Sequence, residues 1–342
     1  MQTVLGLVDP STLGHTQTHE HLLSDLSRPG QLDQLQAGVR GRGSEPIRLD
    51  NYAWVRRHTN LHPDAMRLNS EADATAEMLL YRTSGGGCVV DATSIGIARD
   101  PLGLARVSRA SGVQVVMGCG YYVAAYHPPE AAVLTEDQIA EQIERDLVEG
   151  ADSTAIRSGI IGEIGLSWPV HPDEAKVLRA AGRAQARTGA ALLIHPGRNP
   201  AAPIEAVRAA TAAGGDPTRT IVSHIDRTLF TLEAMKELAA AGAYVEFDLF
   251  GQESSYYPLA DIDMPNDAMR VNYLRDLIAA GYRDQLVIAQ DICKKVNMTR
   301  YGGEGYTHIL ENVVPLMRRK GLSADDIHTI LVRNPARVLA FA

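Results

Sequence analysis

The chain is poor in cysteine, in positive charge and in long apolar runs. Its 342 residues hold three cysteines, Cys88, Cys119 and Cys293, set far apart. Three scattered cysteines make neither a disulfide framework nor a zinc ribbon. They read as small buried apolar residues of a protein from the reduced cytoplasm. Lysine and arginine number 33 against 41 aspartates and glutamates, a net charge of −8. A general nucleic-acid binder would carry a basic face, so that class is set aside. No apolar run approaches the ~20 residues of a membrane span. The opening MQTVLGLVDP lacks the basic-then-apolar layout of a signal peptide. No fixed-period repeat and no low-complexity segment occur. The first expected strand carries no Gly-rich fingerprint, which speaks against a doubly wound dinucleotide-binding fold.

What the chain does have is a rhythm. TQTHEHLL (16–23) is followed by GGCVVDAT (86–93), VQVVMGCGYY (113–122), GIIGEIGLS (159–167), ALLIHPG (191–197), TIVSHID (220–226), AYVEFDLFG (243–251) and QLVIAQDI (285–292). These are short continuous apolar runs, the pattern of strands buried on both faces. Ala- and Leu-rich segments at helical spacing separate them, among them 173–189, 232–242 and 268–281, each ending in glycine. A glycine there suits a helix C-cap. Eight strand–helix units predict an α/β protein built as one (β/α)8 barrel over residues 1–342. A Gly-, Arg-, Pro- and Asp-rich stretch at about 28–65 reads as a surface excursion after strand one, with a short helical piece near Tyr52–Arg57.

In such a barrel the active site lies at the C-terminal ends of the strands. There the first run places His19 and His21, the fourth Glu163, the fifth His195, the sixth His224 and the eighth Asp291. Buried polar groups are costly unless paired, and a metal centre accounts for all six together. Residues two apart on a strand share a face, so His19 and His21 can share one ion. Six ligands exceed the needs of one tetrahedral ion and suit two divalent ions roughly 3.5–4 Å apart. The expected division is His19, His21 and Asp291 on one ion, His195 and His224 on the other, with Glu163 bridging. Nitrogen and oxygen ligands without thiolate favour Zn2+ and leave manganese, iron and cobalt open. Such a pair lowers the pKa of a shared water from ~15.7 towards 7. Asp291 is expected to take the proton of that water, and Asp226, two residues past His224, to relay it outward or to orient a ligand.

A second regularity concerns charge. Arg198, Arg227 and Lys294 each lie three residues after a proposed ligand. They are expected to crown the mouth and to hold a small-molecule substrate with an anionic group. Tyr121 and Tyr122, after strand three, are expected to line the pocket. The long segment 250–265 after strand seven, with Tyr256 and Tyr257, is expected to help choose the substrate.

The motifs THEHLL, GIIGEIGLSWP, LLIHPGR, IVSHID, AQDICKK, YGGEGYTHI and RNPARVL closely resemble the phosphotriesterase-related family of the amidohydrolase superfamily, over nearly the whole chain. The resemblance implies a metallo-dependent hydrolase barrel with a binuclear centre, usually zinc, and often a homodimer. Phosphotriesterases proper and acyl-homoserine lactonases bridge their metals with a carboxylated lysine. Here Glu163 stands at the matching position, which implies the glutamate-bridged branch and weakens phosphotriester and homoserine-lactone hydrolysis. The family implies hydrolysis at a carbonyl centre, of a lactone or an N-acyl amide, with phosphotriester hydrolysis the runner-up. The rival from another class is a catalytically weak binding protein of the resiniferatoxin-binding type. Against it stands the full set of six competent ligands.

Overall fold

The structure, a computed structural model, describes residues 1–28, 30–34, 37–253 and 257–341. Among them eight parallel strands run in chain order around a nearly closed barrel: β1 His15–Glu20, β2 Gly86–Asp91, β3 Gln114–Cys119, β4 Ile160–Gly165, β5 Ala191–His195, β6 Thr220–Val222, β7 Tyr244–Phe247 and β8 Leu286–Ile288. The fold is a (β/α)8 barrel, as the rhythm of apolar runs predicts.

The side chains of each strand alternate between two apolar environments. Cys88, Val90, Val116, Ile160, Leu193, Ile221 and Val287 share the barrel interior. Their neighbours Val89, Val115 and Met117 pack outward under the helices. So do Leu192 and Ile194, and on the far side Leu286 and Ile288. A period of two with both faces buried produces an unbroken apolar run.

The helices that cover the strands include α1 Glu71–Thr83, α2 Pro101–Ser111, α3 Glu136–Val148, α4 Pro172–Thr188, α5 Ala202–Ala212, α6 Leu232–Ala240 and α7 Asp267–Ala279. Their ends are written locally. Thr135 and Gln138 form a capping box at the start of α3. Gly189 stops α4 at φ 67°, a left-handed cap that glycine adopts without a Cβ penalty. No helix among the described residues is long and apolar enough to cross a membrane.

The stretch after β1 is more than a surface excursion. It contains the helix Tyr52–Arg57 and several short turns of 3-10 helix. Val55 and Ala65 are fully buried against Val296, from the segment after β8. This part of the chain therefore roofs the barrel mouth.

Closure of the barrel depends on a side chain. The Asp291 amide donates to the His19 carbonyl at 3.1 Å. Glu20, between the two histidines, accepts from the Gln290 amide at 2.7 Å and the Ile292 amide at 2.9 Å. Its carboxylate thus grips the chain on both sides of Asp291. The opening motif therefore performs two tasks: its histidines face the centre, and its glutamate joins the last strand to the first.

Candidate metal centre

The C-terminal ends of the strands bring all six expected ligands into one cluster. One carboxylate stands in the middle. Glu163 Oε1 lies 3.3 Å from His21 Nε2, and Oε2 lies 3.5 Å from His19 Nε2 and 2.8 Å from His195 Nδ1. His224 Nε2 is 2.8 Å from His195 Nδ1 and 3.9 Å from Glu163 Oε2. Asp291 Oδ1 faces His21 Nε2 at 3.4 Å and His19 Nε2 at 4.0 Å. Ligand atoms converge in three overlapping groups, His19–His21–Asp291, Glu163–His195–His224 and His19–His224–Asp248.

Two of these residues sit in unusual backbone. His224 has φ 57° and Asp291 φ 48°, the left-handed region that costs a non-glycine residue about 1–3 kcal/mol. Both are held there. The His224 amide donates to the Asp248 carboxylate at 3.0 Å. The Asp291 segment is gripped by Glu20, and from outside by the Gln252 side-chain amide, which donates to the Gln290 and Asp291 carbonyls at 3.0 and 3.2 Å.

The outer edges of the imidazoles are fixed too, which sets the tautomer and aim of a ligating histidine. Asp248, just past β7, stands 2.9 Å from both His19 Nδ1 and His224 Nδ1. The carboxylate hydrogen-bonds the His224 ring and lies at ion-pair distance from the His19 ring. His21 Nδ1 faces the Thr93 hydroxyl at 2.9 Å. Asp91, at the end of β2, accepts from the Leu22 amide at 2.6 Å and the Thr93 amide at 3.1 Å. Glu246, fully buried, accepts from the Thr18 hydroxyl and lies 3.6 Å from His19 Nδ1.

The electrostatics describe a pocket short of positive charge. Burial opposes a charged His21, yet the Asp291 and Glu163 carboxylates outweigh it and push its pKa up to about 10. His19 is raised in the same sense by Glu163 and Asp248. His195 goes the other way. Burial, with His224 and Arg227 beside it, pushes it down to about 3 and keeps it neutral. Both ring nitrogens of His19 are buried and make no hydrogen bond among the described residues. Convergent lone pairs, an orphaned buried ring nitrogen and surplus carboxylate fit divalent cations. His19, His21, Glu163, His195, His224 and Asp291 are the residues that would hold them.

Above the centre lies a cavity of about 240 Å³. His195, His224 and Asp291 reach its floor, and Tyr122, Arg198 and Arg227 stand in its walls. The Tyr122 ring meets His195 edge-on with centroids 5.1 Å apart. Arg227 is only 3% exposed. Its guanidinium lies 3.2 Å from His195 Nε2 and donates to the Pro196 carbonyl at 3.3 Å. Arg198 Nε donates to the Tyr257 hydroxyl at 2.8 Å. Lys294 also lines the cavity. Among the described residues no carboxylate pairs with Arg198, Arg227 or Lys294 at salt-bridge distance, whereas Lys295 is taken by Asp64 at 2.6 Å.

Two expectations are corrected. Tyr121 is 2% exposed and turns into the helix layer, where its hydroxyl donates to Gln142 of α3 at 2.9 Å. Adjacent residues at a strand end point to opposite sides, so Tyr122 takes the cavity and Tyr121 the core. Asp226 does not touch a candidate ligand. It accepts from the Leu249 amide at 3.0 Å and from Arg270 Nε at 2.8 Å. Burial raises its pKa, and the Arg270 guanidinium opposes that shift. It is the partner of a buried arginine and no outward relay. Tyr256 lies outside the described residues.

The chain belongs to the phosphotriesterase family, whose sequence pattern matches residues 1–339. It is 42% identical over 343 residues to an N-acetyltaurine hydrolase of Tetraodon nigroviridis, covering 100% of this chain and 98% of that one. Its structure is similar to that of a resiniferatoxin-binding protein from Rhodobacter sphaeroides, with a TM-score of 0.94 and 35% identity over 99% of this chain and 94% of that one. It is also similar to a phosphotriesterase homology protein from Escherichia coli with phosphate in its active site, with a TM-score of 0.79 and 27% identity over 96% and 99% of the two chains.

Proposed function

We propose that the protein is a metal-dependent hydrolase of small N-acyl amides that carry an anionic group on the amine side, with N-acetyltaurine as the substrate to test first. One observation carries this reading. Arg227 is a buried guanidinium without a carboxylate partner among the described residues, and it stands beside His195 at the cavity floor. An unpaired buried charge is costly, and a sulfonate or carboxylate of the substrate would supply the missing partner. Arg198 and Lys294 add to the same field. The N-acetyltaurine hydrolase name of the Tetraodon relative fits an acyl amide ending in a sulfonate.

Two divalent ions, zinc by ligand type, would be held by His19, His21 and Asp291 and by His195 and His224, with Glu163 between. Bound there, they would acidify a water and polarise the carbonyl oxygen. In the hydrolysis the oxygen of water joins the acyl carbon, the C–N bond breaks, and the water proton ends on the amine nitrogen. The Asp291 carboxylate takes that proton and returns it to the leaving nitrogen. Tyr122 and Arg227 flank the floor, fix the substrate over it and narrow the access of bulk water.

The test is release of taurine from N-acetyltaurine by the purified protein, together with its metal content by mass spectrometry. The expected result is hydrolysis that a chelator abolishes and zinc restores, with about two ions per chain. No hydrolysis by the zinc-loaded protein, or no bound metal after reconstitution, refutes the reading.

Arg227→Ala should raise KM for N-acetyltaurine roughly 10–100-fold, since a hydrogen bond to a charged group contributes about 1.5–3 kcal/mol. A neutral N-acetyl amide should show no such rise. An equal effect on both substrates would remove the anion contact.

A further inference from the structure

The cavity above the centre has two unlike ends. In an eight-stranded barrel β1 stands opposite β5, and β2 opposite β6. The segments after β5 and β6 carry Arg198 and Arg227. Across the mouth, the segments after β1, β2 and β3 bring together Leu26, Met66, Ile97, Tyr122 and Tyr126, and Cys293 joins them from beyond β8. All of these except Ile97 face the cavity.

This apolar wall is firmly built. Ser24–Asp25 and Arg67–Leu68 form a two-stranded antiparallel ribbon, and Leu26 and Met66 stand at its end. The Leu26 amide donates to the Met66 carbonyl at 2.9 Å. The Tyr126 hydroxyl donates to the Leu26 carbonyl at 2.9 Å. The Arg28 guanidinium, which also lines the cavity at this end, covers the Tyr126 ring, 4.3 Å from its centroid. Leu26, Met66 and Cys293 are each 6% exposed, so the wall closes that end of the cavity.

Resting on the hydrolase reading above, we infer that this wall is the acyl pocket, and that Leu26 and Met66 set the longest acyl chain accepted. A substrate with its anionic group at Arg198 and Arg227 must run across the centre, carry its carbonyl over the floor, and end its acyl tail against Leu26, Met66 and Cys293. The pocket takes acetyl and rejects longer chains. The cavity directly above the centre, at about 240 Å³, is smaller than the roughly 300–1,000 Å³ of sites for drug-sized ligands.

The test uses the zinc-loaded full chain with N-acetyl-, N-butyryl- and N-hexanoyltaurine. For the parent protein kcat/KM should fall at least about 10-fold from acetyl to hexanoyl, since a methylene that does not fit costs on the order of 10-fold or more. Met66→Ala and Leu26→Ala should each raise the hexanoyl-to-acetyl ratio about 10-fold, chiefly through KM. Product inhibition by taurine should stay at the parent value, because the cationic end is untouched. General loosening of the mouth would change both readouts.

An unchanged ratio in the folded variants, checked by thermal melting, overturns the acyl pocket while N-acetyltaurine hydrolysis stands. A parent protein that prefers hexanoyl to acetyl overturns it without any variant. A parent protein that cleaves none of the three refutes the reaction, and the pocket with it.

Discussion

Replacing Asp291 by Asn should lower kcat on N-acetyltaurine by about 10²–10⁴-fold, the usual contribution of a positioned general base. The geometry singles this residue out from the other five. Its side chain is 15% exposed, whereas those of His19 and His21 are 0% and 2% exposed. It is the candidate ligand that opens most to the cavity and to water entering it. One oxygen faces the imidazoles, and the residue lines the cavity. Asparagine keeps the shape and one coordinating oxygen but cannot take a proton. The variant should therefore retain metal at least in part, and the Glu20 grip on the flanking amides should keep its melting temperature near that of the parent. Steady-state kinetics and metal content on the same preparation decide the matter. A kcat within about 10-fold of the parent would exclude Asp291 as the proton acceptor and require another group at the floor.

The barrel was legible because its strands are buried on both faces. Runs such as ALLIH and LVIAQ admit no surface reading, and polar residues at their ends stand out by contrast. That contrast yields His19, His21, Glu163, His195, His224 and Asp291. The same reading, applied to strands two and seven, points to Asp91 in GGCVVDAT and Asp248 in AYVEFDLFG, the residues that steady the ligand-bearing backbone and rings from behind. Glu20 is harder to see. It lies between two candidate ligands on the opposite face of the strand, and its role depends on contact with residues 290–292 at the far end of the chain. Tyr121 and Tyr122 could not be told apart by type, only by which way the strand end turns. Asp226 is two residues from a ligand in sequence, yet its partner Arg270 comes from a helix 44 residues on. Long-range pairings of this kind leave no local pattern. The apolar wall is hidden for the same reason, since Leu26, Met66, Tyr126 and Cys293 are contributed by four separate stretches of chain.

Arg270→Met should cost about 3–5 kcal/mol of stability, the loss expected when one partner of a buried ion pair is removed. At about 2–4 °C per kcal/mol in larger domains, the melting temperature should fall by roughly 6–20 °C. Arg270 is fully buried on α7. Its Nε donates to Asp226 at 2.8 Å, one Nη to Asp267 at 2.7 Å and the other to the Gln252 carbonyl at 3.2 Å. One side chain therefore ties the segments after β6 and β7 to α7. Through Gln252, whose side chain holds the Gln290 and Asp291 carbonyls, it also reaches the segment that carries the proposed base. Methionine fills much of the volume but leaves two buried carboxylates. They are not equally stranded, because Asp267 keeps His308 Nε2 at 2.6 Å, while among the described residues Asp226 retains only the Leu249 amide. A second substitution separates lost packing from uncompensated charge. Asp226→Asn in the Arg270→Met background should recover part of the lost stability, although the same change in the parent protein removes a pair and should be destabilising. Recovery in the double variant assigns the penalty to the stranded Asp226 carboxylate. Simple addition of the two losses would mean that Arg270 contributes through packing alone.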